Sequence, residues 1–207
     1  MSPITRPRRT QEERTAATRR ALLDATLDCL IEFGYHGTTT TRVVERAGVS
    51  RGAQVHHFPT KNVLVLASVQ HLAKRRADEF LDHSVPRLRA SDDWIGDALD
   101  LIWEINQGPL FEAAMELWNA ARTDPELREH VNDFEREVAT GYVVLARALV
   151  GDLVDDPEFR ADLYFILDTI RGLRMLQFVQ PSPERALERW EPTKARLRRL
   201  LEGRAPR

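Results

Sequence analysis

Between Gly37 and Lys61 the chain reads GTTTTRVVERAGVSRGAQVHHFPTK, a stretch dense in hydrogen-bond donors. Arg51 carries a planar fork of N–H groups, and Lys61 a compact ammonium. His56 and His57 add ring N–H groups, while Thr40, Thr41 and Ser50 add hydroxyls. Such a set suits an acceptor-rich or anionic surface better than bond-breaking chemistry. His56, His57 and His71 also raise the question of a metal, but adjacent histidines point to different faces of a helix. No cysteine or acidic partner stands at ligand spacing, so no metal or cofactor is expected. A second constellation, Glu112 and Glu116, is spaced i, i+4 and shares a helix face. Paired carboxylates do acid–base work, yet no nucleophile, metal set or phosphate loop accompanies them.

The elements around the first stretch explain its punctuation. Thr39 or Thr40 can cap a short helix whose apolar side is Val43, Val44 and Ala47. Gly48 ends it, because the residue after a helix often needs positive φ. Ser50 caps a second short helix, which Pro59 stops. Two short helices around Gly-Val-Ser match a helix-turn-helix, which lays its second helix in the DNA major groove. On that geometry Arg51 can pair bidentately with guanine, and Thr41, Arg42, Ala53 and His56 lie near enough to reach base edges or thymine methyls.

Charge distribution agrees with this placement. The net charge is only −2 over 207 residues. Residues 1–76, however, hold 13 Lys+Arg against 6 Asp+Glu, whereas residues 77–207 hold 17 against 26. A basic front and an acidic back suit a protein whose first third meets phosphate. Residues 1–9, with Arg6, Arg8 and Arg9 beside Pro3 and Pro7, read as a disordered basic arm. One cysteine, Cys29, excludes an internal disulfide and reads as a small buried hydrophobe. No apolar run reaches the roughly 18–20 residues of a membrane span, and the basic N-terminus lacks a signal-peptide core. A cytoplasmic location, nucleoid-associated when DNA is bound, is therefore expected.

The rest of the chain reads as helices. Thr10 with Glu13 forms a capping box for a helix to about Phe33, with Leu23, Leu27, Leu30 and Ile31 on one face. Thr60 caps a fourth helix that should fade before Pro86, and Arg87–Asp92 looks like a joint. Beyond it, Pro109, Pro125, Pro157 and Ser182 mark helix starts, with Pro192 expected to kink or split the last. The expected class is all-α, about nine helices. An N-terminal three-helix helix-turn-helix DNA-binding domain (10–60) is followed by a connecting helix (61–86) and a helical effector-binding and dimerisation domain (87–207).

The run Gly34-Tyr35, Thr38-Thr39, Ala47-Gly48-Val49-Ser50-Arg51-Gly52, His57-Phe58 and Lys61 resembles the TetR family of bacterial transcriptional regulators. The dense match covers about residues 20–66. The resemblance implies a homodimeric repressor that reads a two-fold related operator and is released by a small-molecule effector. It also implies backbone grips at Thr40, His57 and Lys61. Val55 stands where that pattern has a phosphate-contacting tyrosine, and Gln54 where it has a buried leucine. Gln54 therefore either turns toward a base or re-seats the helix. Candidate effector-pocket residues are Trp103, Asn106, Phe111, Met115, Glu116, Trp118, Tyr142, Arg171 and Arg174. The resemblance implies an interface on the C-terminal helices, with Phe165, Met175, Leu176, Trp190 and Leu197 as its candidates. Two readings compete with a regulator: a sequence-tolerant architectural DNA binder, and an enzyme built on the helical-domain carboxylates.

Overall fold

The computed structural model describes residues 10–203, and the basic arm expected over residues 1–9 lies outside them. The described residues are helical, without strands. In order they form α1 (Gln11–Gly37), α2 (Thr40–Ala47), α3 (Arg51–His57), α4 (Lys61–Glu79), a π turn (Phe80–Ser84), α5 (Val85–Arg89), α6 (Trp94–Ile105), α7 (Pro109–Ala121), α8 (Pro125–Val150), a 3₁₀ turn (Gly151–Asp155), α9 (Pro157–Leu176) and α10 (Pro183–Glu202). The π turn joins α4 to α5 without a break, so these helices make nine rods among the described residues.

Helix starts follow the chemistry of unpaired N–H groups. Thr10 and Glu13 form the reciprocal capping box of α1. Thr39, rather than Thr40, caps α2, and Ser50 accepts the Ala53 N–H to cap α3. Asp124 accepts the Leu127 N–H at the start of α8. Gly34 has φ 66° inside α1, so the long helix breaks there and a last turn follows to Gly37.

Two prolines behave differently from expectation. The fourth helix does not fade before Pro86. The Val85 N–H reaches back to Phe80 O across the π turn, and Pro86 enters the first turn of α5, where a missing N–H costs little. Arg87–Asp92 is accordingly part helix, with Leu88 buried, not an open joint. Pro192 neither ends nor splits α10. Both Pro192 and Glu188, whose carbonyl loses its partner, are solvent-exposed, so water can take that carbonyl.

The chain divides into two compact units, neither continuous in sequence: Met1–His71 with Ala113–Val131, and Leu72–Glu112 with Asn132–Arg207. These are not the linear segments divided at residues 60 and 86. In the first unit, Leu22, Leu23, Cys29, Val43, Phe58 and Leu64 pack into one cluster. Cys29 is fully buried, and burial pushes its thiol pKa up. Ile31, expected on the buried face, is exposed instead. The core of the second unit joins α6, α9 and α10 through Leu99, Trp103, Phe159, Ile166, Ile170 and Trp190.

Trp190 and Leu197 are 1% and 3% exposed, which corrects their assignment to an interface: both are core within the chain itself. Trp190 stacks on Trp103 with ring centroids 4.7 Å apart, and its indole N–H donates to Asp100 at 2.9 Å. Trp190→Ala removes a stacked ring and leaves a large void. It should cost about 3–5 kcal/mol of unfolding free energy, read from the midpoint of denaturant unfolding.

Candidate nucleic-acid interface and effector cavity

Gly48 takes φ 65°, ψ 32°, the left-handed conformation that turns the chain between α2 and α3. Ser50 then starts α3, and Phe58, 3% exposed, pins its far end into the first unit's core. This orientation leaves Arg51, Gly52, Val55 and His56 exposed, with Thr41 and Arg42 also exposed from α2. Thr40, Ala53, His57 and Lys61 are half-buried at the edges of that surface. The Ser50 hydroxyl already accepts from Ala53, and the Arg42 guanidinium donates to Gly37 O while lying 4.6 Å over the Phe33 ring.

Gln54 does not face outward. It is fully buried, and its Nε2 donates to Phe58 O. This corrects its place among the DNA-facing residues. Gln54 and Phe58 are spaced i, i+4 and so share one side of the helix, and the amide is tolerated there because it captures a helix-end carbonyl. The second amide atom, Oε1, is buried with no partner among the described residues.

Lys61 opens α4, where the helix dipole disfavours a cation. Its ammonium donates to Tyr35 O at 2.6 Å and lies 4.0 Å over the Tyr35 ring. Burial pulls its pKa below the usual lysine range. Asn62 beside it accepts from the Tyr35 hydroxyl. The Tyr35 N–H in turn donates to Glu116 Oε2 at 2.9 Å. Glu116 is therefore engaged with a backbone amide in the first unit, and it lines neither of the two cavities below. Met115 and Trp118 belong to the same unit and are not among the walls of the two cavities below. Tyr35 was legible only as a motif position and Asn62 not at all; nothing in their spacing signalled these bonds.

The second unit brings four of the expected pocket residues together. Trp103, Asn106, Phe111 and Arg174 line an open cavity of about 860 Å³ between α6, α7, α9 and α10. Phe111 stacks on Phe178 at 5.9 Å, so two aromatic pairs wall the space. Arg174 is buried, lies 3.5 Å from the Trp103 ring centroid, and donates twice to Trp103 O, at 3.1 and 2.7 Å. Burial pulls its pKa down to about 10, with Glu104 opposing. The guanidinium is thus a wall of the cavity, bonded to carbonyls, more than a free anion clamp. Asp100, Glu104, Glu112 and Glu191 make the remaining charged lining acidic.

Tyr142 and Arg171 line a separate groove of about 480 Å³, where Arg171 pairs with Glu135 at 3.3 Å. Asn106 joins the two spaces, donating to Ile102 O at 2.8 Å and toward the Tyr142 hydroxyl at 3.4 Å. Among the described residues no three His, Cys, Asp or Glu side chains converge as a metal site would require. Nor is any described helix long and apolar enough to cross a membrane.

His57 supplies a pH handle on this unit. Burial lowers its pKa from 6.5, helped by His56 and by Arg19. The unfolded chain therefore binds the proton more tightly. Stability from neutral His57 is complete above 6.5 and is lost as pH falls through the lowered folded value. His57→Gln should flatten the acid-side decline, measured as denaturation midpoint against pH.

Residues 22–68 match the family described as bacterial regulatory proteins, tetR family. The HTH-type transcriptional regulator CymR of Pseudomonas putida is 36% identical over 189 residues, 89% of this chain and 90% of that protein. An uncharacterized HTH-type transcriptional regulator of Mycobacterium tuberculosis is 29% identical over 177 residues, 85% of this chain and 90% of its own. Among solved structures, the fatty acid degradation regulator FadR from Bacillus halodurans matches with TM-score 0.66 at 14% identity, over 93% of this chain and 97% of that one. The multidrug binding protein EbrR complexed with ethidium matches with TM-score 0.65 at 21% identity, over 87% and 97%. The latter two likenesses are of fold. With the helix-turn-helix geometry and a full-length relative in hand, the chain belongs to the tetR family of bacterial regulatory proteins and is a DNA-binding transcriptional regulator.

Proposed function

We propose that the protein is a homodimeric repressor that binds an inverted-repeat operator and leaves it when a small molecule occupies the second unit. The observation that carries the reading is α3 itself, which offers Arg51, Gly52 and His56 to solvent from a helix capped at Ser50 and pinned at Phe58. Arg51 reads guanine from the start of that helix. Thr40, His57 and Lys61 grip the backbone beside it. A neutral His57 still donates an N–H to a phosphate oxygen.

Dimerisation through the last helices is supported by exposed apolar side chains there. Phe165, Met175 and Leu176 on α9 are 58%, 44% and 47% exposed, and Leu187 on α10 is 53% exposed. A monomer leaving these in water would carry an unusual apolar patch. The effector reading rests on the cavity of about 860 Å³, a size ordinary for metabolite sites. Its two aromatic pairs favour a flat or apolar molecule. Gln177 adds a buried Nε2 donor without a partner among the described residues, so the molecule carries a hydrogen-bond acceptor. DNA contacts thus fall within residues 10–60 and at Lys61, and regulation within residues 87–207.

Selection of bound duplexes from random DNA tests the reading. Enriched sites should show two-fold related half-sites about one helical turn, or a multiple of it, apart. Arg51→Ala should lose about 1–3 kcal/mol of discrimination at one position per half-site while affinity for random DNA barely changes. A consensus without two-fold symmetry would exclude the dimeric operator, and an unchanged consensus would exclude Arg51 as the reader.

A further inference from the structure

The backbone of one residue in the first compact unit is held by charge at both of the peptide groups that flank it. The Tyr35 N–H donates to the Glu116 carboxylate at 2.9 Å, and the Tyr35 carbonyl accepts from the Lys61 ammonium at 2.6 Å. The contact with Glu116 is a built one. Gly34 sits beside it at φ 66°, and a Cβ there would come within 2.7 Å of Glu116 Oε2. The positive φ favours glycine there, and a side chain at position 34 would oblige the Glu116 carboxylate to shift. The Tyr35 hydroxyl closes the arrangement by donating to Asn62, the second residue of α4.

Lys61 has a physical reason to leave its place. It stands in the first turn of α4, where the dipole repels a cation, and burial further disfavours its charge. The Tyr35 carbonyl and ring offset this, and they do so only while the Tyr35 backbone is held in place. An ammonium has three donors, so the bond to Tyr35 leaves others for a second acceptor.

We propose that Glu116 is a positioning residue of the DNA grip: its carboxylate fixes the backbone of Tyr35 at the N–H, and the carbonyl of the same residue holds the Lys61 ammonium at the start of α4 where a DNA phosphate binds. The inference rests on the reading of Lys61 as a phosphate contact. It adds a residue 55 positions away in sequence, on a helix outside the three that form the helix-turn-helix. That helix, α7, also carries Phe111 and Glu112, one turn earlier, among the walls of the larger cavity.

The test is the salt dependence of binding by the full-length protein to a random-sequence duplex of about 40 base pairs, long enough for two half-sites. Each phosphate contact contributes about 0.9 to the slope of log affinity against log salt. Lys61→Ala should lower the slope by about that much per protomer. Glu116→Ala and Glu116→Asp, whose shorter carboxylate falls short of the amide, should lower it equally, and Glu116→Ala in the Lys61→Ala background should lower it no further. Glu116→Gln, whose amide oxygen can accept the Tyr35 N–H, should retain most of the slope. A purely structural Glu116 would instead lower the unfolding temperature and leave the slope at the parent value, or its loss would add to that of Lys61→Ala; either result overturns the proposal. Should Glu116→Ala fail to fold, the contrast between the Asp and Gln variants decides. If Lys61→Ala leaves the slope unchanged, the phosphate reading fails and the proposal with it, an outcome distinct from one in which only the Glu116 variants are silent.

Discussion

A helix of seven residues cannot hold itself together in water, and α3 is seven residues long. The site depends on that constraint. α3 exists because both ends are tied elsewhere: the Ser50 hydroxyl satisfies an amide at its start, and Phe58 is buried in a core contributed by α1, α2 and α4. The left-handed turn at Gly48 sets the direction in which it leaves α2. Once these three points are set, the outward row of Arg51, Gly52, Val55 and His56 follows from helical geometry. The same geometry sends Gln54 inward, where a leucine would pack without an unpaired oxygen. The amide Nε2 bonds to Phe58 O, so the end of α3 gains a side-chain partner at the expense of one buried acceptor left over.

Both compact units place a desolvated cation against main-chain carbonyls and an aromatic ring. Lys61 meets Tyr35 in one, and Arg174 meets Trp103 in the other. In neither case does a carboxylate neutralise the charge directly. The bonds replace lost hydration, and the lowered pKa values measure how incompletely they do so. A cation in this condition gains from an arriving anion at Lys61. At Arg174, three of whose five N–H groups are engaged by Trp103 and Gln177, the same condition makes the guanidinium a held part of the cavity wall.

Carboxylates divide in a corresponding way. Glu112 and Glu116 share a face of α7, yet Glu112 lines the cavity whereas Glu116 accepts a backbone amide. Spacing alone grouped them as a pair. Their different environments give them different work, and the glycine at position 34 is the sequence feature that marks where one of them is received.

Much was legible before any coordinates. Helix ends follow from single residues whose chemistry acts locally, so Thr10, Ser50, Gly48, Pro109 and Pro157 announce themselves. The helix-turn-helix and the family to which the chain belongs follow from that same punctuation together with the motif around Gly48. What sequence left open is whatever depends on which long-range neighbour covers a face. Trp190 and Leu197 have the apolar character of interface residues and are core, while Phe165 and Met175, equally apolar, are exposed. Met115, Glu116 and Trp118 follow Phe111 on one helix but belong to a different compact unit. Gln54 is polar and buried. Local chemistry is written residue by residue, whereas burial is a property of the partner across the contact, and only the tertiary structure supplies that partner.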